Sequence, residues 1–120
     1  VGVPQVIFTE LRSLVDDRVY PIEFPQSNAR PPVWPAIRYT IVSSDSSVSL
    51  GGTDTEDTDQ IRVQFDIVAA TFSEMRTLKA LVILALMDTD PPCTRQSGFE
   101  TFDAETKTHR AVIDYLFQDS

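Results

Sequence analysis

Apolar residues recur at two different periods along this chain, and the switch between them marks its elements. Val3, Ile7, Leu11 and Leu14 are spaced by three and four, which places them on one helical face, while Thr9, Arg12, Ser13 and Asp16 fall on the other. The spacing predicts a first helix from about Pro4 to Asp16. Pro4 is tolerated in the first turn, and Asp16-Asp17 would oppose the dipole at a helix C-terminus, so the helix stops there. Ile37, Tyr39 and Ile41 alternate with Arg38 and Thr40, predicting a half-buried strand over Ile37–Val42. The alternation is clearest at Ile61, Val63, Phe65, Ile67 and Ala69, with Gln60, Arg62, Gln64 and Asp66 between them. That pattern belongs to an antiparallel sheet with one covered face and one polar face open to solvent or a polar partner.

Helical spacing returns after Ala69. Thr71-Phe72-Ser73-Glu74 has the form of a capping box, with Ala70 and Met75 placed to staple it. Met75, Leu78, Leu81, Val82, Ala85 and Leu86 form a broad apolar stripe on a helix ending near Asp88, and Pro91-Pro92 prevents its continuation. This helix is expected to cover the sheet. Phe99 to Phe102 reads as one further strand, and Ala111, Val112, Ile113, Tyr115 and Phe117 mark another, with a polar turn at Asp103–Thr106. The order α-β-β-α-β-β predicts one α+β domain over residues 1–120: a mostly antiparallel sheet of about four strands, covered by two helices, with a long β-hairpin loop.

Two segments do not follow either period. Residues 21–35 hold five of the eight prolines and should be extended and irregular, with a strand fragment around Val19–Phe24 possible only at an edge. Trp34, between Pro32 and Pro35, is expected to close over the core. Ser43–Asp59 is rich in Ser, Thr, Gly and acid. It is either a long hairpin turning at Leu50-Gly51-Gly52 or a segment ordered by a partner. Both alternatives make it protrude.

Composition narrows the function classes. The balance of 10 Lys and Arg against 18 Asp and Glu gives a net charge of −8, which repels polyphosphate and argues against nucleic-acid recognition. Cys93 is the single cysteine, so no internal disulfide or multi-cysteine metal site is expected. The N-terminal residues lack a signal-peptide layout, and the apolar run Ala80–Met87 is far too short to span a bilayer, so no membrane is expected. His109 is the single histidine, beside Arg110 at a strand entrance, and nothing around it and Cys93 suggests an activated nucleophile–base pair. Asp54, Glu56, Asp57 and Asp59 lack EF-hand spacing, and Gly51-Gly52 lacks the remainder of a phosphate-binding loop. The expectation is no enzyme, no cofactor and no metal.

Arg18-Val19-Tyr20-Pro21 is followed by Pro31-Pro32 leading into the Ile37–Val42 strand. Next come the strand-to-helix passage Val68-Ala69-Ala70-Thr71-Phe72-Ser73-Glu74-Met75 and the late Phe99–Tyr115 hairpin. In this order the chain resembles the tail-completion, or tail-terminator, family of long-tailed bacteriophages. The acidic segment and the Trp34-Pro35 insertion depart from the family pattern. The resemblance implies a homo-oligomeric ring, typically a hexamer, at the head-proximal end of the tail tube in the neck of the virion, assembled in the host cytoplasm. Such a ring would stop tube polymerisation, contact the tail tube protein and the head–tail connector protein, and let DNA pass through its lumen without specific binding. Asp45, Asp54, Glu56, Asp57, Asp59, Arg62 and Gln64 are the residues placed at an interface or the lumen. The alternatives are another neck or connector protein, or a non-viral cytosolic adaptor using the same sheet face.

Overall fold

The computed structural model describes residues 2–22, 33–47, 58–89 and 92–119, with the side chains of 43–47, 58, 59 and 119 outside that description. Helix α1 spans Val3–Leu11 and is followed by a single 3-10 turn at Arg12–Leu14; β1 is Val19–Pro21, β2 Ala36–Ser47 and β3 Thr58–Ala69. Helix α2 spans Phe72–Ala85 with a 3-10 turn at Leu86–Asp88; β4 is Cys93–Asp103 and β5 Thr108–Asp119. The strands form one sheet in the order β1-β2-β3-β5-β4, antiparallel throughout except for the parallel β1–β2 pair. The fold is α+β, as the patterning predicts, with five strands instead of about four.

The two helices lie on one face of the sheet. Val3, Ile7 and Leu11 of α1 and Met75, Leu78 and Val82 of α2 join Ile37, Val63, Phe65, Ile67, Ile113 and Phe117 in one buried cluster. Phe65 is its aromatic centre, edge-on to Tyr115 at 5.7 Å between ring centroids. The start of α2 is set locally: Thr71 is extended, and its Oγ1 accepts from the Glu74 amide at 3.1 Å. Leu81, expected on the covered stripe, is exposed instead, as are Leu84 and Met87.

Four further expectations are revised. Helix α1 ends at Leu11 rather than Asp16: it tightens into the 3-10 turn at Arg12–Leu14, and the left-handed φ values of 49° and 66° at Asp16 and Asp17 bar any helix there. Arg12 then holds the turn through Asp17 at 2.8 Å. Strands reach further into the Ser43–Asp59 segment than the alternation marked: β2 runs to Ser47 and β3 begins at Thr58. Asp45 and Asp59 therefore belong to strands, pairing in register with Gln60 and Ser46. The strand at Phe99–Phe102 is the end of an 11-residue edge strand, and its exposed residues carry no alternation because neither face is deeply covered. Trp34 packs with Tyr20 against Ala36 and Val68, a small cluster separate from the helix-side core. The Trp34–Pro35 peptide bond is cis. Among the described residues no helix is long and apolar enough to cross a membrane.

Candidate interaction surfaces

The face of the sheet away from the helices was expected to be wet and polar, but it holds a buried ionic cluster. Asp66 on β3, whose side chain is only 4% exposed, is ion-paired with Arg38 of β2. Arg110 of β5 approaches the same carboxylate at 4.0 Å and Asp103 of β4 at 3.9 Å. Gln64 donates from Nε2 to Asp66 Oδ1 at 3.4 Å. Cross-strand register brings these groups together: Arg38 is opposite Asp66, Asp66 opposite Val112, and Val112 is flanked by Phe99 on β4. A carboxylate removed from water needs such partners, because an isolated buried charge is strongly disfavoured.

The sequence-predicted site residues divide. Arg62 is exposed and Gln64 half-buried, both on β3, and Gln64 belongs to the ionic cluster. Asp45 and Asp59 are placed by backbone register at the far end of the β2–β3 ladder. Asp54, Glu56 and Asp57 lie outside the described residues. Among the described residues the set is therefore not gathered into one site, and no group of three His, Cys, Asp or Glu side chains could hold a metal.

The two lateral flanks of the sheet differ. On one, β4 presents an open edge with Phe99 and Phe102 exposed. Glu100 there is bracketed by Arg76 at 3.4 Å and Lys79 at 3.5 Å from α2. Lys79 also lines a shallow depression of about 280 Å³ with Arg95, Gln96, Ser97, Gly98 and Ile113. His109 is half-buried between the rings of Phe102 at 4.8 Å and Phe72 at 5.7 Å. On the other flank, Arg12 is committed to Asp17, and Arg18 donates to the Pro35 carbonyl at 2.8 Å. Asp16, whose side chain is 90% exposed, also pairs with Arg18 at 3.8 Å. Sequence reading missed the Arg38–Asp66–Arg110 cluster. The available trace was three charged residues at outward positions of separate strands, which means nothing until the register is known.

Cys93, at the start of β4, donates from Sγ to the Leu86 carbonyl at 3.2 Å and lies 3.5 Å from Thr89 Oγ1. Burial pushes its thiol pKa up, partly offset by the Thr89 hydrogen bond, so the reactive thiolate is disfavoured.

Against known proteins, the sequence profile of the family described as "Tail completion protein gp17" matches residues 9–117. The chain belongs to this family. The resemblance read from RVYP, the proline segment and the capped helix is thus borne out. As a tail completion protein, the chain is a structural component of the phage tail and hence of a virion. Its fold is also similar to that of a chain in a solved structure titled "Virion of native gene transfer agent (GTA) particle". The TM-score is 0.64 at 13% sequence identity, covering 98% of this chain and 93% of the other. No curated protein matches.

Proposed function

We propose that this protein forms a closed ring, with six copies the expected number, at the head-proximal end of the tail tube. There it stops tube polymerisation and joins the tail to the head–tail connector. The observation that carries the reading is the family match across residues 9–117, and the dissimilar flanks of the sheet support it. A ring closes through a head-to-tail interface that joins two different surfaces of the same subunit. The open β4 edge on one side and the α1–β1 corner on the other supply two such surfaces. The remaining faces are left for the tube protein and the connector.

The acidic segment that includes Asp45, Asp54, Glu56, Asp57 and Asp59, with Arg62 and Gln64 on the adjoining strand, faces the tube or the lumen in this reading. Carboxylates lining the lumen would repel passing DNA and keep it from adhering. Light scattering at several concentrations, with negative-stain images of each peak, tests the ring. Adding purified tail tubes and measuring their length tests the cap. Closed rings that arrest tube growth are expected. A monomer that neither binds tubes nor changes their length would refute the proposal. Neutralising Asp54, Glu56, Asp57 and Asp59 together should alter DNA ejection or tube joining, and unchanged infectivity would remove the segment from the mechanism.

A further inference from the structure

We draw no further inference here: the strongest candidate, the open β4 edge with Phe99 and Phe102 exposed, carries none because nothing in the structure shows what covers it.

Discussion

Replacing Asp66 by Asn keeps the shape of the side chain but removes the one charge shared by Arg38 and Arg110. The carboxylate is almost fully enclosed, whereas the arginine side chains retain 27% and 24% exposure and can recover some hydration. Removing one partner of a fully buried ion pair costs about 3–5 kcal/mol. With both arginines partly wet, the expected cost is about 2–3 kcal/mol. Unfolding entropy of about 2.1 cal/mol/K per residue gives about 250 cal/mol/K for the chain, so Tm should fall by about 10 °C. Circular dichroism melts at two protein concentrations separate this loss from any effect of assembly. Added salt should change it little, since a buried pair is weakly screened. The double change Arg38→Met with Asp66→Asn should cost less than the sum of the singles, because it does not leave Arg38 facing a lost charge. A Tm shift under about 3 °C, or strict additivity, would refute the account of this cluster as a buried, mutually dependent unit.

Gly98 is expected to be irreplaceable on β4. A Cβ there would lie 2.9 Å from both Ile113 Cγ2 and the Val112 carbonyl oxygen, and the backbone oxygen cannot move without disturbing the β4–β5 ladder. Gly98→Ala should destabilise by about 1–3 kcal/mol in urea titration, with Ile113→Val recovering only part; an unchanged midpoint would contradict the close approach. Cys93 should alkylate far more slowly in the folded protein than in urea at about pH 8, since burial raises its pKa. Its folded pKa exceeds the unfolded one, so the stabilisation is complete below the unfolded value and is lost as pH rises towards the folded value. Wild type should therefore lose stability more steeply than Cys93→Ser at alkaline pH, and parallel curves would assign the thiol no role.

Local patterning by itself determined much of this protein. The alternation from Ile61 to Ala69 and from Ala111 to Phe117 assigned the core face of β3 and β5. Thr71 marked where α2 begins, and the stripe to Leu86 marked most of what it buries. These are properties of one segment, written in its own period and cap. Tertiary structure alone decided the rest. Three residues of β1 are too few to show a period, and they became a strand only because β2 lay parallel beside them. Much of β4 has no alternation, since an edge strand need not bury a face, and the backbone of β5 defined it. Asp66 read as a solvent-facing residue because its phase in β3 is outward. Its burial depends on Arg38 and Arg110 arriving from neighbouring strands, and on Trp34 and Tyr20 closing over the adjacent Ala36 and Val68.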